Sequence, residues 1–296
     1  MDRSSSRLEQ IRARLELPTV RRASGLLDGR HRSIFSGHGQ DFDDQVEYHP
    51  GDDVKDIDWK SSARAGHPII RRFVRESNLS TVLAFDTGVS MAATSASGLS
   101  KKNVAMFAAD IIAYVARARG DLVALVAGDS ERMVQRPARH GTAHLESVLS
   151  LVEEALTLEA PPSDVGRVMD RVLTGFPQRS LVVLITDEAR PGPEHEDSLR
   201  RLRTRHEVLV VRVGDALPTA AGIGPTADVD GWERLPAFVR EDRILAAQVD
   251  HAAASRATAA TRLLDRRGVH HVVASSEDEV VGALLDLLGR SRRVRR

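Results

Sequence analysis

The chain has no cysteine. That excludes disulfides, thiolate catalysis and cysteine-ligated metals, and it fits a reducing compartment. Aromatic residues are scarce, 4% of 296, with two tryptophans and two tyrosines; Trp59 therefore stands out as a candidate packing anchor. Neither charge sign dominates: 42 basic and 42 acidic residues give a formal net charge of zero, so no global field argues for nucleic acid or an anionic membrane. No window approaches the ~20 apolar residues of a spanning helix. The first residues, Met1-Asp2-Arg3-Ser4-Ser5-Ser6, carry no apolar signal core, and a cytoplasmic location is expected. What is present is ordinary for a globular protein, 42% hydrophobic and 28% charged residues. The chain is long enough for one large domain with an extension. The excess of Arg over Lys reads as base composition.

Punctuation and periodicity organise the chain. Ser6 and Glu9 have capping-box spacing ahead of Ile11 and Leu15, which predicts a short opening helix. Residues 25–66 are rich in Gly, Asp and His with little periodicity, and read as a specialised segment. Pro68 to Val74 reads as a strand. From Thr81 onward, strands and helices alternate. Strands are predicted at 81–85, 121–127, 132–135, 181–185, 208–213 and 270–274. Helices are predicted around Val104–Val115, Leu145–Leu156, Val165–Leu173, Ser198–Arg205, Glu241–Arg267 and Glu277–Leu288, with a loop at 214–225. Several strands are continuous apolar runs. This predicts an α/β fold with a mostly parallel sheet and helices on both faces, divided as an extension (1–79), a sheet domain (80–290) and a basic tail (291–296).

Asp86 and Asp187 each end an apolar strand, Ser90 lies in the turn after the first, and Thr142 precedes a helix. Two carboxylates and two hydroxyls at the top of a parallel sheet would suit a hard cation, Mg2+ or Mn2+, better than zinc. The bland alternative is an N-capping threonine and solvated strand ends. His140 and His144 have helical spacing but lack a third ligand. Ser90 has no evident His–Asp pair. His270 and His271 point to opposite faces of a strand.

The turn Asp86-Thr87-Gly88-Val89-Ser90 resembles the Asp-x-Ser-x-Ser motif of von Willebrand factor type A domains. Thr142 and Asp187 match the threonine and second aspartate of their metal-ion-dependent adhesion site (MIDAS). The resemblance implies a von Willebrand A-like, Rossmann-type fold. It also implies a cation with one coordination position open to a partner's acidic side chain. Gly88 departs from the motif by standing where the first serine belongs, which removes a hydroxyl ligand.

A second and longer resemblance lies upstream. Phe42, Tyr48, Pro50, Gly51, Asp52, Asp53, Ile57, Asp58, Trp59, Ser62, Ala63 and Arg64 are similar to the signature of the bacterial family called "domain of unknown function 58", with Gly37 and Gly39 ahead of it. Val46 stands where that family more often has arginine. Pro50-Gly51 is turn chemistry. Asp52, Asp53, Asp56 and Asp58 fall within seven residues and must pair with arginines such as Arg64, Arg71 and Arg72, cap a helix or bind a cation. Two expectations follow. One is an ion-paired, Trp59-pinned extension; the other is a partner-recognition surface of Asp52, Asp53, Asp58, Trp59 and Arg64. Asp58-Trp59-Lys60 has only a faint likeness to a magnesium-nuclease core. The family resemblance implies a non-catalytic interaction or adaptor module, partnered by a MoxR-type AAA+ ATPase and acting chaperone-like on a client protein complex. A metal-dependent hydrolase, or a scaffold with a degenerate metal site, is the alternative.

Overall fold

A computed structural model describes residues 41–47, 57–74, 80–118, 120–217, 219 and 236–284. The predicted opening helix, Asp52, Asp53, most of the 214–225 loop and the basic tail lie outside the described residues. The chain divides into two compact units, one comprising residues 24–78 and the other the remainder.

In the smaller unit, β1 (Asp41–Glu47) pairs antiparallel with β2 (Ile69–Val74). Between them, α1 (Trp59–Ala65) begins at Asp58, whose carboxylate accepts the backbone N–H groups of Lys60 and Ser61 at 3.1 and 3.2 Å. The helix ends at Gly66 in the left-handed conformation, φ 77°, which a residue without Cβ adopts freely. Of the possible fates for the Asp58 carboxylate, helix capping is thus realised. Trp59 is not a buried anchor: it is 70% exposed, because it occupies the first position of a helix that has no buried residue.

The larger unit is built on six strands: β3 (Ser80–Asp86), β4 (Leu122–Gly128), β5 (Met133–Arg139), β6 (Leu181–Asp187), β7 (Glu207–Val213) and β8 (His270–Ala274). They are ordered β5-β4-β3-β6-β7-β8, and every neighbour pair is parallel except β4 with β5. Six of the seven residues in each of β3, β4, β6 and β7 are buried, as expected of strands covered on both faces. The helices are α2 (Lys101–Ala118), α3 (Thr142–Ala155), α4 (Val165–Gly175), α5 (Glu196–Arg205), α6 (Ala237–Glu241) and α7 (Arg243–Arg266), with a further helical stretch at 277–284.

Strand alternation divides the core. Val82, Ala84, Val182, Leu184, Val208 and Val210 pack with Val168, Met169 and Val172 of α4, Leu199 and Leu202 of α5, and Leu263 and Leu264 of α7. Leu83, Phe85, Leu125, Val183 and Ile185 fill the other face, on which α2 packs. This is the doubly wound, von Willebrand A-like arrangement. The chain leaves β3 and β6 toward opposite sides of the sheet, so their carboxyl ends mark a switch point in the winding.

β7 carries one charged exception, Arg212, only 1% exposed. Its guanidinium donates to the Glu188 carbonyl (2.9 Å), Thr261 Oγ1 (2.9 Å) and His271 Nδ1 (3.2 Å), so it ties β7 to α7 and β8. His271 in turn meets Asp265 through Nε2 at 3.0 Å. The core position Leu184 and the edge position Val273, 39% exposed, should respond very differently to truncation. Leu184→Ala is expected to cost about 2–5 kcal/mol of unfolding free energy in urea titrations, and Val273→Ala no more than about 0.5 kcal/mol.

Candidate functional site

The strand register brings Asp86 and Asp187, the last residues of the adjacent strands β3 and β6, to the same edge of the sheet. Asp86 is fully buried. Its Oδ1 accepts the Gly88 N–H at 3.0 Å and its Oδ2 accepts the Thr186 hydroxyl at 2.9 Å. Burial raises the Asp86 pKa, against the opposing pull of the Arg190 charge and these hydrogen bonds. Ser90, in a 3₁₀ turn (Val89–Ala92), is also buried; its hydroxyl lies 2.9 Å from Ser163 Oγ and accepts from Arg190 Nη1 at 3.3 Å.

Asp187 is met by a cation. Lys101 Nζ stands 2.5 Å from Asp187 Oδ2 and 2.5 Å from Asp215 Oδ1. The other oxygen of Asp187 accepts the Ala189 N–H at 2.8 Å and lies 3.8 Å from Arg190 Nη1. Burial would raise the Asp187 pKa, but the Lys101 and Arg190 charges outweigh it and hold the carboxyl below its usual range. Burial would likewise depress Lys101, yet Asp187 and Asp215 keep its pKa raised. Asp215, the outer ligand, is pushed up to about 7 by burial and by the neighbouring Asp187 charge.

Thr142 is not part of this cluster. β5 runs antiparallel to β4, with Met133 beside Gly128 and Arg139 beside Val123. Its seven residues therefore carry the chain roughly 20 Å from the carboxyl edge to the amino edge, where α3 starts. There Thr142 accepts a hydrogen bond from Arg117 at 2.9 Å, and His144 bonds the Val123 carbonyl at 2.9 Å. The hydroxyl beside Asp86 and Ser90 belongs instead to Ser163, just ahead of α4. The sequence offered one signal for it, an N-capping Asp164 after two prolines. Lys101 also had a signal: it opens a helix, where the macrodipole disfavours a cation.

Gly88 fits this packing closely. Val89 donates its N–H to the Pro161 carbonyl at 3.0 Å, which draws the 161–163 segment against the turn. A Cβ at Gly88 would overlap Ser163 N and Cα, so the serine of the adhesion motif has no space here.

A divalent cation fits this donor set poorly. Both Asp86 oxygens and both Asp187 oxygens are already hydrogen-bonded, Ser90 is paired with Ser163, and a lysine and an arginine supply positive charge beside them. A dication would meet repulsion from both side chains. Among the described residues, no group of three or more His, Asp or Glu side chains is arranged to hold a metal. Of the recognition residues expected upstream, Asp58 is buried as a cap, while Trp59 and Arg64 are exposed on α1.

Restoring the serine should therefore harm the fold instead of supplying a ligand. Gly88→Ser is expected to lower stability by about 1–3 kcal/mol, measured by thermal unfolding, and Mg2+ should not reverse the loss. Thr142→Val, at the far edge, should stay within about 0.5 kcal/mol of the parent.

Comparison with known proteins places the chain in a family. Uncharacterized proteins of Mycobacterium bovis and Mycobacterium tuberculosis are each 30% identical to the chain over 251 residues, covering 84% of it and 77% of their own length. Among solved structures, an aerotolerance-related membrane protein from Bacteroides fragilis aligns with TM-score 0.45 and 12% identity, over 72% of this chain and 99% of that one. A von Willebrand factor type A protein from Catenulispora acidiphila aligns with TM-score 0.35 and 12% identity, over 72% of this chain and 42% of that one. No helix of the described residues is long and apolar enough to cross a membrane. Residues 44–226 match the family described as protein of unknown function DUF58, and the chain belongs to that family.

Proposed function

We propose that the chain is a non-catalytic interaction module whose carboxyl sheet edge docks a MoxR-type AAA+ ATPase, in the assembly or activation of a client protein complex. The observation that carries the docking surface is two exposed leucines on the loops that flank Asp215 and Ser95 at this edge. Leu99 is 48% and Leu217 49% exposed. They sit on two loops joined by Ala96 N–H to the Gly214 carbonyl (3.2 Å) and Ala216 N–H to the Thr94 carbonyl (3.2 Å). Exposed apolar side chains over a rigid, hydrogen-bonded edge suit the apolar centre of a protein interface. The ATPase as partner rests on the family resemblance.

Trp59 and Arg64 give the smaller unit a second candidate surface, since exposed tryptophan and arginine are enriched at interfaces. The non-catalytic reading is supported by Ser90. Its hydroxyl partners are Ser163 and Arg190, and neither is a base able to take its proton at neutral pH.

Binding of the purified ATPase, followed by calorimetry, tests the reading. Leu99→Asp and Leu217→Asp are each expected to weaken binding at least about tenfold, equivalent to about 1.4 kcal/mol, with the melting temperature unchanged. Undiminished binding in both variants would remove this edge as the docking surface. Metal-dependent turnover of a generic phosphoester that is lost in Asp86→Ala would favour a hydrolase instead.

A further inference from the structure

We propose that Lys101 does the structural work of a divalent cation in this site, so that the carboxyl edge is assembled around an ammonium group and needs no bound metal. The inference stands on the geometry of the cluster and is independent of the docking proposal.

Lys101 is the first residue of α2 and its side chain is 0% exposed. A single Nζ spans Asp187, at 2.5 Å on the inner side, and Asp215, at 2.5 Å on the outer side. The side chain of Asp187 is 6% exposed and that of Asp215 is 41% exposed. One cation thereby joins three elements: the start of α2, the end of β6 and the loop after β7. A buried ammonium at a helix N-terminus is disfavoured by desolvation and by the macrodipole. It persists here because two carboxylates take it together.

The surroundings hold that arrangement in place. The Asp215 N–H donates to Glu188 Oε2 at 3.0 Å, and Asp215 bridges Ser95 across the two rim loops. Arg190 supplies the second positive charge, 3.8 Å from Asp187 Oδ1 and 3.3 Å from Ser90 Oγ. The Ser163 backbone occupies the space that a side chain at position 88 would need. The carboxylates that would draw a dication are thus satisfied by groups within the chain, and the buried ammonium turns its rotatable donors to both Asp187 and Asp215 with no exposure to water.

The test uses the full chain. Wild type is titrated with MnCl2 and MgCl2 by calorimetry and melted with millimolar Mg2+ or with EDTA. No saturable heat and a Tm equal within about 1 °C in the two buffers are expected. Stoichiometric Mn2+ binding that disappears in Asp86→Ala would overturn the proposal.

A second arm does not rely on metal. Lys101→Met should lower Tm by on the order of 10 °C, because it strands the buried Asp187 carboxylate. Adding Asp187→Asn should recover a clear part of that loss, since it removes the stranded charge. If Lys101→Met does not fold, a folded double variant carries the same meaning. A double variant no more stable than Lys101→Met alone would show that Lys101 is not the compensating cation.

Discussion

The contact between Lys101 and Asp187 is the constraint around which the carboxyl edge is organised. Asp187 ends the central strand β6, and Lys101 begins the helix that leaves the neighbouring strand β3 by way of a 3₁₀ turn. A lone carboxylate at that depth would be expelled or protonated, and a lone ammonium there would be unstable. Together they stay ionised, and Asp215 adds the loop after β7 to the same charge. The rim loops bond to each other beside this buried charge pair, and α2 begins at its lysine.

The proposed role of Lys101 also accounts for an adhesion-type turn in which side chains of the chain itself pair with the carboxylates. Asp86 still caps its turn through the Gly88 N–H, and Ser90 still faces inward. The hydroxyl near them is that of Ser163, contributed by the segment before α4, and the positive charge comes from Lys101 and Arg190. A metal site gains specificity from ligand geometry and an exchangeable position. A charge cluster closed by side chains gains rigidity instead. That suits an edge whose rim loops expose the apolar Leu99 and Leu217 and whose proposed partner would be recognised by shape and burial.

Much of the larger unit was legible from periodicity. The runs at Thr81–Phe85, Leu181–Ile185 and Val208–Val213 lie within β3, β6 and β7, and Val165–Leu173 lies within α4. Apolar alternation and 3.6-residue spacing are local properties, so they survive without knowledge of the fold. β5 was foreseen only as a short segment around 132–135, because Pro137 and flanking arginines interrupt its pattern. An edge strand tolerates both. In the smaller unit, β1 and α1 gave no periodic signal: β1 carries its apolar residues irregularly and α1 buries none. The exposed Trp59 illustrates the limit of composition, since rarity marks a residue without saying which way it faces.

The site divides along the same line. Sequence alone placed Asp86 and Asp187 at the ends of apolar strands of a parallel α/β sheet, with Ser90 in the turn after the first, because apolar runs ending in aspartate are a local pattern; that all three are buried was decided by the fold. It also set the glycine at position 88. Only the tertiary structure decided which groups meet there. The antiparallel turn of β5 sends Thr142 to the opposite edge and brings Ser163 to the cluster, and α2 carries Lys101 onto Asp187. Strand direction and charge pairing between residues 86 and 114 positions apart are long-range properties. Local patterns hold no record of them, because the balance of buried charge is settled only when the chain has closed.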